Sequence, residues 1–217
     1  NCAPMVDVAC EATHPFLLNR CYGTDAQVVA DLGRAAANGM LDGGVLPVVK
    51  HIPGHGRAVA DSHFELPVVD AARSDLDRTD FATFRALNDL PMGMTAHLVY
   101  SAIDDAPATT SKAMMDVIRQ TIGFDGLIMT DDVSMKALKG SLSELSRASL
   151  EAGCDVILHC NGTLTERREV AEAAGRMTPA AQARALRAIE ARKTPEAVDI
   201  AALDAQLDAL LNGHEHG

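Results

Sequence analysis

Residues 123–135 read GFDGLIMTDDVSM, and the order of apolar and polar residues in that stretch decides the fold. Residues 127–130 (LIMT) form an apolar run of strand length without polar alternation, as expected of a strand covered on both faces. Asp131 and Asp132 follow directly at its C-terminal end. The same order recurs on either side. The run 45–49 leads into Lys50 and His51, 92–96 into His97, and 155–159 ends on His159 shortly before Asn161. Residues 2–8 read as a further buried strand.

Amphipathic stretches of helical length lie between these runs. The spacing predicts helices over 25–38, with Thr24 as N-cap and Gly39 as stop, and over 76–87, 112–121, 143–152, 165–174 and 180–192. A last helix is predicted over 199–211, with 214–217 as a frayed end. Strands alternating with helices imply βα units and a parallel sheet. Such proteins carry their chemistry at the C-terminal ends of the strands, where the polar residues cluster here. A doubly wound sheet would satisfy the same pattern, but no GxGxxG turn follows any strand, which weighs against a dinucleotide-binding fold. The expectation is an α/β fold of the (β/α)8 TIM-barrel type, with about five βα units where a closed barrel needs eight. The chain opens directly on an apolar strand, which favours a piece of a larger domain. Residues 1–217 therefore read as one partial catalytic barrel domain, with 163–217 as its C-terminal helical part.

Composition narrows the function. The 217 residues are 47% hydrophobic and 23% charged, as in an ordinary folded chain. The net charge of −11 argues against binding nucleic acid through its phosphates. No apolar run is long enough to span a membrane, and no leader is visible, although the chain begins without methionine. Five cysteines, without a CxxC pair, read as free thiols in a reducing compartment, so a cytoplasmic location is expected. Tryptophan is absent, so a small soluble substrate suits this surface better than a long stacked polysaccharide.

The segment 50–63, KHIPGHGRAVADSH, is the densest in chemistry. Pro53, Gly54 and Gly56 force a turn, and Asp61 stands two residues from His63. In an extended backbone that spacing puts both side chains on one face, where Asp61 would fix the tautomer of His63 for proton transfer. A bare DxH is more often incidental. Neighbours on a strand point to opposite faces, so at most one of Asp131 and Asp132 faces a pocket squarely. A carboxylate there serves as nucleophile, metal ligand or helix cap, the cap being commonest. Arg20 could clamp a hydroxyl or lie in a surface ion pair. The methionines, Met135 among them, read first as core filler.

Taken together, KHIPGHG (50–56), DSH (61–63), the strand ending in Ala96 and His97, and TDDVSM (130–135) resemble the bacterial glycoside hydrolase family 3 β-N-acetylglucosaminidases. NCAPMVDV (1–8) and AGCDVILHCNG (152–162) are also similar to that family. The resemblance implies a retaining exo-β-N-acetylglucosaminidase acting on a small sugar substrate, GlcNAc-1,6-anhydroMurNAc muropeptides of peptidoglycan recycling, without a cofactor. It implies that Asp131 is the nucleophile, that His63 paired with Asp61 is the acid/base, and that Arg20, Lys50 and His51 bind sugar hydroxyls. His97 and Met135 would line the pocket. It further implies that the family barrel begins roughly three βα units before Asn1, so that these residues alone should neither close a barrel nor turn over substrate. Rival readings are a β-glucosidase or phosphorylase of the same family, a non-catalytic sugar-binding remnant, and a metal-dependent hydrolase. The last would use His51, His55 and His63 with Asp61 or Asp131.

Overall fold

A computed structural model describes residues 1–195 and 197–212. Four parallel strands form the central sheet: β1 (Val48–Ile52), β3 (Met92–Thr95), β5 (Leu127–Asp132) and β6 (Val156–Leu158). They lie side by side in the order β1-β3-β5-β6. That order runs one way without reversing, as in a barrel wall; a doubly wound sheet reverses at its switch point. The fold is of the α/β, TIM-barrel type, and among the described residues the sheet is open beyond β6.

Residues 2–8, expected as a strand, contribute one bridge, Met5 to Lys50. The segment nevertheless runs parallel to β1, because Val48 N–H donates to the Ala3 carbonyl at 2.8 Å and Val6 N–H to that of Lys50 at 2.8 Å. Pro4 has no N–H to offer a longer ladder. Strand β1 starts at Val48 rather than Val45, just after Pro47. A second sheet that the sequence left in loops pairs β2 (Val68–Val69) with β4 (Val99–Tyr100). Two-residue strands are too short for any periodicity to mark them.

The helices follow the predicted positions with corrections at their ends. After a short α1 (Pro15–Leu18), α2 runs over Ala26–Asp42, capped by Asp25 rather than Thr24, since the Asp25 carboxylate accepts the N–H of Gln27 and Val28. It passes through Gly39 and stops at Gly43; a single helical glycine costs only about 1 kcal/mol. The stretch 76–87 divides into α3 (Arg73–Arg78) and α4 (Asp80–Ala86) at Thr79, whose hydroxyl donates to the Asp75 carbonyl. α5 (Lys112–Asp116) passes into a π-helical turn, Val117–Ile122, ended by Gly123 at φ 80°. α6 (Leu142–Ala152) and α7 (Leu164–Ala174) both begin on capping boxes, led by Ser141 and Thr163. α8 (Pro179–Glu190) and α9 (Ile200–Asn212) complete the chain. The frayed end expected at 214–217 lies outside the described residues.

The core is built where α4, α5 and the π turn cover the sheet, with Phe81, Phe84, Phe124, Ile118 and Ile128 fully buried. This packing also fixes the polar end. A Cβ on Gly56 would sit 1.9 Å from the Val8 carbonyl oxygen, so glycine alone lets the 53–67 loop rest on the N-terminal segment. Since that neighbour is backbone and cannot swing aside, Gly56→Ala should lower stability by about 1–3 kcal/mol, read as a shift of the urea unfolding midpoint.

Candidate active site

Two irregularities in the sheet aim the polar residues. The register of β1 against β3 slips between Lys50 and Ile52, and that of β5 against β6 slips between Met129 and Asp132. Bulges of this kind re-aim side chains at the rims of barrels. They fall on the strand ends that carry Lys50, His51 and Asp131.

These residues, with Arg20, His63 and the ring of Phe16, line a pocket of about 200 Å³. It therefore gathers five of the eight residues singled out in the sequence. Asp61 joins them through His63: its Oδ1 lies 2.7 Å from His63 Nδ1 and accepts the His63 backbone N–H at 2.9 Å. The pair sits in a turn, with Phe64 N–H donating to the Asp61 carbonyl, and not in the extended backbone that the spacing suggested. The side chain of Asp61 thus closes a local ring onto the residue two positions on, a geometry aspartate favours. Burial pushes the Asp61 carboxyl up, but the N–H and ring of His63 outweigh it and hold the group below its usual range. The ring of His63 is half exposed and packs edge-on against Phe16, with centroids 4.9 Å apart. Arg20 lies over the other partner of that contact, 5.0 Å from the Phe16 centroid. Neither Arg20 nor Lys50 forms an ion pair among the described residues.

Of the two aspartates, Asp131 faces the pocket. Asp132 turns away, where its Oδ1 accepts the N–H of Ser134 at 3.0 Å and that of Cys160 at 3.3 Å. Burial raises the Asp132 carboxyl, and those donors more than reverse the effect. His97 and Met135 are buried outside the lining of this pocket. His97 bridges the hydroxyl of Thr109, 2.7 Å from Nδ1, and the carbonyl of Asp132, 3.1 Å from Nε2. It thereby braces the strand end that presents Asp131. Burial depresses its pKa.

Sequence reasoning missed Asp7. It is wholly buried, and its carboxylate receives the backbone N–H of His55 at 2.7 Å and lies 2.8 Å from His51 Nδ1. A lone aspartate in the apolar run CAPMVDV was the available signal. Burial raises its carboxyl, but the two histidines together hold it below its ordinary value. On the other side of the His51 ring, Nε2 is 3.9 Å from Asp131 Oδ2. His55 lies beneath, its Nε2 3.2 Å from the Ser62 hydroxyl. Among the described residues no three His, Cys, Asp or Glu side chains converge to hold a metal ion. A larger cavity of about 660 Å³ lies between β6, α7 and α8, away from these groups.

Burial, and then the neighbouring His51, drive His55 down to about 4. The folded protein thus refuses a proton that the unfolded chain accepts near pH 6.5, and stability falls as pH drops from about 6.5 towards 4. Lowering pH from 7 to 5 should cost about 2 kcal/mol. His97 adds in the same direction, while Asp7 acts only at lower pH. Urea midpoints at the two pH values measure the loss, and His55→Gln should make it smaller.

The glycosyl hydrolase family 3 N-terminal domain matches residues 1–191. A beta-hexosaminidase of Alkalilimnicola ehrlichii is 40% identical over 164 residues, 73% of this chain and 47% of that protein. A family 3 beta-N-acetylglucosaminidase from Paenibacillus superposes with a TM-score of 0.82 at 32% identity, over 92% of this chain and 41% of its own. NagZ from Neisseria gonorrhoeae, crystallised with N-trifluoroacetyl-D-glucosamine, gives 0.76 at 28% identity, covering 95% of this chain and 59% of its own. The chain spans about half the length of the relatives it matches. With its match extending over nearly the whole described structure, this chain belongs to glycosyl hydrolase family 3, as an N-terminal-domain member.

Proposed function

We propose that these residues supply the reacting half of a retaining exo-β-N-acetylglucosaminidase. In this reading residues 1–217 are one catalytic barrel domain in part, and 163–217 are its helical end. The observation that carries the reading is that a carboxylate, Asp131, and an aspartate-held imidazole, His63, line one small pocket with Lys50, His51 and Arg20. The names of the relatives point to the same aminosugar.

The chemistry follows from the placement. The Asp131 carboxylate attacks C1 of the bound GlcNAc while His63 Nε2–H gives its proton to the leaving glycosidic oxygen. The C1–O bond breaks and a glycosyl ester forms. His63, now neutral at Nε2, takes a proton from water as that water attacks C1. The ester opens, and the sugar leaves with its β configuration retained. Asp61 positions rather than reacts: its bond to Nδ1 keeps Nε2 as the atom that exchanges the proton. The cations of Lys50 and Arg20 and the ring of His51 donate to or accept from the sugar hydroxyls. His97 and Met135 support the strand end beside Asp131 from below. The substrate in this reading is a GlcNAc-terminated muropeptide of peptidoglycan recycling, processed in the cytoplasm.

Two measurements test the proposal. In the polypeptide that turns over substrate, a 2-deoxy-2-fluoro glycoside carrying an activated leaving group should label the protein covalently, and the labelled peptide should contain Asp131; label on any other residue refutes the assignment. Asp131→Asn should abolish labelling. In the polypeptide that turns over substrate, His63→Ala should slow poor leaving groups by about 10²–10⁴-fold and activated aryl glycosides far less. Equal losses on both would remove His63 from the role, and acceleration by added phosphate would indicate phosphorolysis instead.

A further inference from the structure

Asp7 does not line the pocket, yet it determines what one pocket residue presents. Its Oδ1 accepts two backbone N–H groups, from His55 at 2.7 Å and His51 at 3.2 Å, and its Oδ2 lies 2.8 Å from His51 Nδ1. Backbone N–H groups can only donate, so they fix the plane of the carboxylate and leave Oδ2 directed at the ring. An ionised carboxylate can only accept, so the short contact requires a proton on Nδ1. Asp7 is kept ionised by the same neighbours that surround it. The opposite ring nitrogen, Nε2, then stands 3.9 Å from Asp131 Oδ2 at the pocket wall.

We infer that Asp7 is a positioning residue for His51: by accepting the hydrogen bond of Nδ1–H it holds one tautomer and one ring orientation, so that Nε2 is the atom offered to the sugar beside Asp131. Its consequence for turnover rests on the glycosidase reading above, whereas its structural content does not. The carboxylate comes from the N-terminal segment and the ring from the bulged end of β1. The pairing therefore couples sheet register to pocket chemistry.

The substitution that separates the roles is Asp7→Asn. The backbone N–H groups of His51 and His55 still need an acceptor, so the amide oxygen stays with them and the amide NH2 turns to Nδ1. Nδ1 must then accept, and the ring proton moves to Nε2. Nitrogen-15 NMR of the histidine rings should find the His51 proton on Nδ1 in the native chain and on Nε2 in Asp7→Asn. A native His51 without a proton on Nδ1 overturns the inference, as does an unchanged tautomer in the variant. If the variant does not fold, the native spectrum alone decides.

Turnover gives a second readout. With an aryl GlcNAc substrate, Asp7→Asn should lower kcat/KM about 10²-fold. In a His51→Gln background it should add less than about 3-fold, because the two residues act as a unit. Equal losses in both backgrounds would mean general damage to the fold and would overturn the inference. These rates are read in a polypeptide that carries these residues within the whole family domain; should that polypeptide show no turnover, the glycosidase reading fails, and the nitrogen spectra still decide the role of Asp7.

Discussion

The lateral hydrogen bonds between residues 3–6 and β1 are the constraint on which the polar end of this protein depends. Val48 N–H to Ala3, Lys50 N–H to Pro4 and Val6 N–H to Lys50 lock two segments that are otherwise more than forty positions apart in the chain. From that register everything nearby follows. Asp7 arrives beside His51 and His55, the Val8 carbonyl closes over Gly56, and Thr83 reaches back to the Val6 carbonyl at 3.0 Å. A slip of one residue would turn the Asp7 side chain to the opposite face. The buried carboxylate would then lose its donors, and a buried charge without partners is strongly destabilising.

The electrostatic character of the site comes from unequal burial. His55 and His97 are enclosed and hold few protons at neutral pH, so they act as neutral scaffolding. His63 stands at the surface, half open to water. Three histidines drawn from neighbouring loops and strands thus differ in their access to water by depth alone. The same division separates the aspartates. Asp132 is saturated by Ser134 and Cys160, while Asp131 keeps its outer oxygen towards the pocket.

Much of this was legible in the sequence because a covered parallel strand leaves so clear a signature. Apolar runs ending in Lys50–His51, His97 and Asp131–Asp132 located three strands of the sheet and the polar residues gathered at their C-terminal ends. What escaped has physical reasons. The predicted helix 76–87 divides at Thr79, which leaves helical geometry while both its N–H and its hydroxyl donate to the Asp75 carbonyl, a local arrangement that no periodicity reveals. The π turn after α5 keeps the amphipathic pattern of an α-helix and is silent at this level. His97 looks in sequence like every other polar residue at a strand end, and only its enclosure beneath Asp132 tells it apart from the pocket residues. Asp7 was hidden by its neighbours, since a single carboxylate inside CAPMVDV alters the run too little to stand out.

The Asp61–His63 contact is made within one tight turn, in contrast to Asp7–His51, which spans two distant segments. Imidazole and carboxylate therefore meet within a single local unit. The orientation of the ring relative to its carboxylate is set by three consecutive residues, without reference to the register of the sheet. Where the ring stands in the pocket is fixed separately, by its edge-on contact with Phe16 and by the remainder of the loop.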